Sequence, residues 1–119
     1  MKDFIPYELA KILEAKGFDN DFNYGYNDKG DICVPVYNID EDQLMTMTPC
    51  PEIHEVLKWL REKKKLHVSI MTFMFKAGWC YEVVRLGDSP ALVAAHSNSY
   101  NTYEQAAIAG IEYVINNLI

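Results

Sequence analysis

Hydrophobic positions along the chain recur in two periods, and the changes between them mark the elements. The clearest change falls within residues 51–84, PEIHEVLKWLREKKKLHVSIMTFMFKAGWCYEVV. Ile53, Val56, Leu57 and Leu60 recur at helical spacing and define one apolar face, with Trp59 covering its edge. Pro51 stands where a first helical residue stands, since its missing N–H costs nothing there. Glu52 and Glu55 in the first turn, and Arg61, Lys63 and Lys64 in the last, complement the helix dipole. After Lys65 the period shortens. Residues 66–75 are rich in β-branched and aromatic side chains and predict a strand. Lys76-Ala77-Gly78 is a turn of hairpin length, and residues 79–86 predict the return strand.

The same reading extends to the rest of the chain. Residues 5–18 predict a first helix with Pro6 at its start and a narrow stripe of Leu9, Ile12 and Leu13. Gly17 marks a left-handed stop, with Phe18 folding back towards Leu13. Residues 22–26 and 31–37 bracket Asn27-Asp28-Lys29-Gly30, a strong turn signal, and predict a hairpin. Pro35 cannot donate to a ladder, so its strand lies at an edge or carries a bulge. Residues 38–50 are long for a loop with no structure of its own, and Leu44, Met45 and Met47 are too apolar for full solvation. They are expected to pack on the domain or on a partner. Residues 92–96 read either as a third strand of a meander or as part of a short helix begun at Ser89-Pro90. Thr102 caps the last helix, with Gln105 three positions on completing a capping box. Ile108, Ile111, Ile115 and Leu118 line one face of that helix, joined by Ala107 and Val114.

The predicted order is α-ββ-α-ββ(β)-α, without internal repeat or linker. Short turns mean antiparallel pairing. Residues 1–119 are therefore expected to form a single α+β domain, a two-layer arrangement of three helices and an antiparallel sheet of four to five strands. The strand 66–75 has two apolar faces. Leu66, Val68, Ile70, Thr72 and Met74 alternate with His67, Ser69, Met71, Phe73 and Phe75. A sheet apolar on both faces must be covered on both, either by helices divided between them or by a partner.

Composition narrows the class. Half of the 119 residues are hydrophobic, which argues against disorder and gives a core of ordinary size. No apolar run is long enough to span a bilayer, and the N-terminus lacks the apolar core and cleavage site of a signal peptide, so a cytoplasmic placement is expected. The net charge of −6 is uneven: residues 1–52 carry 4 Lys/Arg and 11 Asp/Glu, residues 53–119 carry 7 and 6. An acidic chain is a poor nucleic-acid binder. Three cysteines, Cys33, Cys50 and Cys80, with no CxxC, point to free buried thiols as the default.

Four blocks, FIPYELAKILEAKGFD at 4–19, PEIHEVLKWLREKKKLHVSI at 51–70, GWCYEVV at 78–84 and TYEQAAIAGIEYVINNL at 102–118, together resemble small uncharacterised proteins of prophages and mobile elements in gut bacteria. That group shows an N-terminal "PYE.A..L...GF" block, a middle "P....VFDWFREK" block and a closing "TYEEA...A" helix. The resemblance covers about half of the chain, in the same order. Leu57 and Leu60 stand where the group has aromatics, and Lys58 where it has Asp. The resemblance implies an α+β domain of phage-related origin, with no activity and no catalytic residue set to carry over.

Candidate chemistry is sparse. His54, His67, His96 and the cysteines are too scattered for a metal motif. Cys80 lies mid-strand between Trp79 and Tyr81, where a small apolar residue packs well; Cys50 directly precedes a helix start, where the dipole favours a thiolate. Asp40-Glu41-Asp42 lacks the spacing of a calcium loop. Nothing calls for a cofactor or a metal. The methionines offer an adaptable surface, and the expected interaction residues are Met45, Met47, Phe73, Phe75, Trp79 and Tyr81. The expectation is a non-enzymatic interaction module that binds a host or phage protein and pairs as a homodimer over an uncovered sheet face. The competing readings are a small cysteine-dependent enzyme using Cys50 or Cys80, and an acidic nucleic-acid mimic. No membrane is implied, and nucleic acid is not the expected partner.

Overall fold

The structure, a computed structural model, describes residues 3–18, 24–27, 30, 33–35, 47–72, 77–95 and 99–119. Helices α1 (Tyr7–Ala15), α2 (Ile53–Lys63) and α3 (Tyr103–Asn117) alternate with strands β1 (Tyr24–Tyr26), β2 (Cys33–Pro35), β3 (Thr48–Pro49), β4 (Leu66–Thr72), β5 (Trp79–Arg85) and β6 (Ala91–Ala95). The class is α+β and every strand pair is antiparallel, as the sequence predicts. The strands divide between two three-stranded sheets, β2-β1-β3 and β4-β5-β6, where the sequence suggested one sheet of four to five. The first sheet gains its third strand from β3, a two-residue strand within the stretch read as loop, which occupies the second edge of β1. The chain falls into two compact units, Met1–Glu52 and Ile53–Ile119.

In Met1–Glu52, β1 is central and β2 lies at an edge, where Pro35 needs no ladder donor. The amide of Cys50 extends the β1–β3 ladder by donating to Tyr24 O at 2.9 Å, and Ile5 N donates to Pro51 O at 3.0 Å. Helix α1 packs against β3 and is shorter than the predicted 5–18. Pro6 is the N-cap rather than the first helical residue, with φ −59° and ψ 151°. Ile12, expected in the buried stripe, is 39% exposed. Leu9, Ala10 and Leu13 set the buried direction, and at about 100° per residue Ile12 points roughly a quarter-turn away from it. The helix stops as expected: Gly17 has φ +95°, Phe18 N donates to Leu13 O at 3.0 Å, and the Phe18 side chain is buried.

In Ile53–Ile119, β5 is central and β4 and β6 flank it. Helix α2 begins at Ile53, so Pro51 precedes it instead of opening it. Its buried residues are Ile53, Val56, Trp59 and Leu60; Trp59 is core, not edge, and Leu57 is half-buried. Lys64 Nζ stands 5.4 Å from the centre of the Trp59 ring. Lys65, at φ +56°, turns the chain into β4, and Leu86 N closes that end of the hairpin on Lys65 O at 2.8 Å. The β4–β5 register pairs Val68 with Val83, Ile70 with Tyr81 and Met71 with Cys80. Residues 91–95 form a strand, which decides between the two sequence readings, and the β5–β6 ladder shifts register at Val83/Val84.

Helix α3 lies on β4 and β5, and α2 packs on β4 and against α3. Its cap is as predicted: Gln105 N donates to Thr102 Oγ1 at 3.1 Å. The return bond of the box falls one residue earlier than the ideal, from Asn101 N to Gln105 Oε1 at 3.1 Å. The buried residues are Ala106, Ala107, Gly110, Ile111, Val114 and Ile115. Ile108 and Leu118, expected on that face, are half-buried. Small residues replace them at the contact and bring the helix axis close to the sheet. The sheet face with Leu66, Val68, Tyr81 and Val83 carries the core. The alternate face holds half-buried His67, Ser69, Met71, Glu82 and Val84 around buried Cys80.

Candidate functional site

Of the expected interaction residues, Met45, Phe73 and Phe75 lie outside the described residues. Met47 packs over Gly25 of β1, with its Sδ 3.2 Å from the position a Cβ would occupy there. It serves the small sheet of Met1–Glu52. Trp79 and Tyr81 sit together on β5, and the fold gathers three further aromatic residues around them, all within Ile53–Ile119.

That cluster follows from the local path of the chain. Beyond β6 the chain re-enters the lane beside β5 at Tyr100, which forms a reciprocal pair with Trp79: each amide donates to the other carbonyl at 2.8 Å. Ser99 Oγ donates to Ala77 O at 2.8 Å and ties this segment to the end of the β4–β5 turn. The Thr102 cap then starts α3 at once, so Tyr103 meets Trp79 edge to face, with ring centres 5.6 Å apart and planes at 87°. Gly110 lets the helix settle onto Tyr81, and Tyr113, one turn later, comes to 6.4 Å from it. Tyr100 stands 6.3 Å from Tyr81, ring centre to ring centre.

Tyr81 is the floor of this cluster, 3% exposed. Burial pushes its phenol up, and Tyr100, Tyr113 and Glu112 add to the effect. Trp79, Tyr100 and Tyr113 are half-buried and Tyr103 is exposed. The sequence reading found Trp79 and Tyr81 but missed Tyr100, Tyr103 and Tyr113. The signal was present on α3: Tyr103 and Tyr113 stand seven before and three after Gly110, which puts all three on one side of the helix.

The thiols divide. Cys50 is disulfide-bonded, which corrects the expectation of free thiols and removes it as a nucleophile in this state. Cys80 is a free, buried thiol held above its ordinary pKa by burial and then by Glu82. His67 shares its sheet face but pairs with Val84, four residues along β5. At roughly 3.3 Å per residue that is about 13 Å, far beyond hydrogen-bond reach. Among the described residues the charge acting on this thiol is that of Glu82, which opposes a thiolate.

Glu55 lies in the first turn of α2, where the positive end of the helix dipole accounts for a carboxylate. No helix among the described residues is long and apolar enough to cross a membrane. Comparison of the chain with protein-family models, with curated proteins and with solved structures yields no match.

Proposed function

We propose that the chain is a non-enzymatic protein-interaction module, a phage-related accessory protein that binds a host or phage protein through the aromatic cluster of Ile53–Ile119. The observation that supports this reading is the cluster itself. Trp79, Tyr100, Tyr103 and Tyr113 surround buried Tyr81 and keep surface of their own. Tyr and Trp supply large, stiff contact area at low entropic cost and dominate the energetics of protein interfaces. Two strands of backbone and a capped helix hold these rings before any partner arrives, which lowers the cost of binding.

The cysteine-enzyme reading has less support. One of its two nucleophiles is in a disulfide, and the other is buried, shifted away from the thiolate and distant from the histidine on its face. The disulfide also fits an oxidising setting better than a reducing cytosol.

The test is capture from host and phage lysates on immobilised protein, with a Trp79→Ser/Tyr103→Ser variant shown to be folded by circular dichroism as its control. The expected result is a protein retained by the natural sequence and lost from the variant. Retention by both alike overturns the assignment of the surface.

A further inference from the structure

We propose that the aromatic cluster on β5 and α3 takes a cationic peptide segment, one that presents Lys or Arg side chains to the rings of Trp79, Tyr100, Tyr103 and Tyr113, each of which keeps some exposure. This rests on the interaction-module reading and names the chemistry of its partner. The first observation is charge. No Lys or Arg follows Arg85 in the sequence, so α3 and the segment leading into it carry only acidic charge, Glu104 beside Tyr103 and Glu112 beside Tyr113. Glu112 is close enough to raise the phenol of Tyr81 at the floor of the cluster. The second observation is the ring set. Aromatic faces carry negative quadrupole potential and attract guanidinium and ammonium groups, more strongly where water is partly excluded. The carboxylates repel a nucleic-acid backbone, and rings and carboxylates together favour a basic peptide. The chain uses the same chemistry within itself, placing Lys64 over Trp59 at 5.4 Å and Lys11 over Tyr7 at 5.1 Å. The third observation is preorganisation. The reciprocal Trp79–Tyr100 backbone pair and the Thr102 cap hold the rings in place.

The experiment titrates the full-length, isotope-labelled chain with an acetylated Gly-Arg repeat octapeptide and with the same peptide carrying citrulline in place of arginine. Citrulline keeps the shape and removes the charge. The expected result is that the arginine peptide shifts the Trp79 indole and the amides of residues 100–104 and 112–113, with the citrulline peptide about tenfold weaker, the scale of one or two cation–π contacts. Glu104→Gln with Glu112→Gln is expected to weaken the arginine peptide about threefold and to flatten its salt dependence. Equal binding of both peptides at the same residues overturns the cationic assignment and leaves the interaction-module reading standing. Shifts centred elsewhere, or none up to about millimolar peptide, the weak limit of such contacts, overturn the cationic assignment as well. If the Trp79→Ser/Tyr103→Ser variant in addition keeps its lysate partner, both readings fall. Shifts of the same resonances with protein concentration alone assign the surface to a second copy of the chain and overturn the peptide.

Discussion

Gly110 of α3 lies against the ring of Tyr81. A Cβ at position 110 would stand 3.1 Å from Tyr81 Cγ and 2.6 Å from Val68 Cγ1. The contact places a residue of low helix propensity in the middle of a fifteen-residue helix, and it brings Tyr103 and Tyr113 to the same side of the sheet as Tyr81. Gly110→Ala should therefore destabilise, although Ala gains about 1 kcal/mol of helix propensity over Gly. Overpacking against a β-branched side chain and a buried ring costs roughly 1–3 kcal/mol, and the net loss should be about 1 kcal/mol, read from chemical denaturation. A variant as stable as the natural protein would mean that the helix can lift away from β4 at no cost.

Gly17 makes the opposite case. It has φ +95°, and nothing lies within 4 Å of where its Cβ would be. The cost of Gly17→Val is then purely conformational, on the order of 1–3 kcal/mol for a β-branched residue held in the left-handed region. Gly17→Asn should cost clearly less, since Asn tolerates that region. Equal melting temperatures for the two variants would show that the stop at the end of α1 does not need a positive φ.

Punctuation was legible in part, where one or two residues decide it; Pro6 and Pro51 stand ahead of the helices they were expected to open. Gly17 and Thr102 announced a helix end and a helix start, and both stand where expected. Facing was less legible because it depends on what lies opposite. Ile12 and Ile108 fit a helical stripe by spacing alone, yet smaller neighbours, Ala10 in α1 and Ala106 and Gly110 in α3, take buried positions. Trp59 flanks the apolar stripe of α2 by spacing, which reads as an edge position, and it is core. The strand β3 is two residues long and one of them is Pro49, so no period could reveal it. The aromatic cluster was half legible. Trp79 and Tyr81 share a strand, but Tyr100 joins them through a single backbone bridge that no local pattern encodes.

Thr102→Ala tests the cap that launches Tyr103 towards Trp79. Loss of the Oγ1 acceptor leaves the Gln105 amide without its partner and should cost about 1 kcal/mol. Because Tyr103 is the next residue, the edge-to-face contact with Trp79 should loosen as well. The near-ultraviolet dichroism of the aromatic residues should fall while Thr102→Ser stays close to the natural signal. Unchanged stability in the Ala variant would place the helix start elsewhere.

Two tyrosines set an alkaline limit. Burial raises the phenols of Tyr26, whose Oη donates to Ile5 O at 2.5 Å, and of Tyr81. Each ionises more easily in the unfolded chain, near the ordinary value of 10.0, than in the folded one. The folded state therefore holds more protons than the unfolded state at and above that pH, and stability falls as pH rises. The contribution is complete below about pH 10, the unfolded value, and is lost as pH climbs towards the higher folded values. Tyr81→Phe should flatten the decline of melting temperature between about pH 9.5 and 11, a window around that unfolded value. An unchanged slope would mean that Tyr81 meets water in the folded protein.

Thiol chemistry separates the two functional readings most directly. Cys80 is buried at 7% exposure, and its thiol is held up by desolvation and by Glu82. The thiolate is the reactive form, so at neutral pH Cys80 should be alkylated much more slowly than a free cysteine, and faster only after unfolding. Cys50, being disulfide-bonded, should resist alkylation even in denaturant until a reductant is added. Peptide mapping after iodoacetamide treatment reads both residues in one experiment. The expected pattern is no label on either in the native protein, label on Cys80 alone in denaturant, and label on both after reduction. Rapid labelling of Cys80 in the native protein would require a route for water to the alternate face of β5 and a group that stabilises its thiolate. It would move the weight of argument back to a cysteine-dependent enzyme.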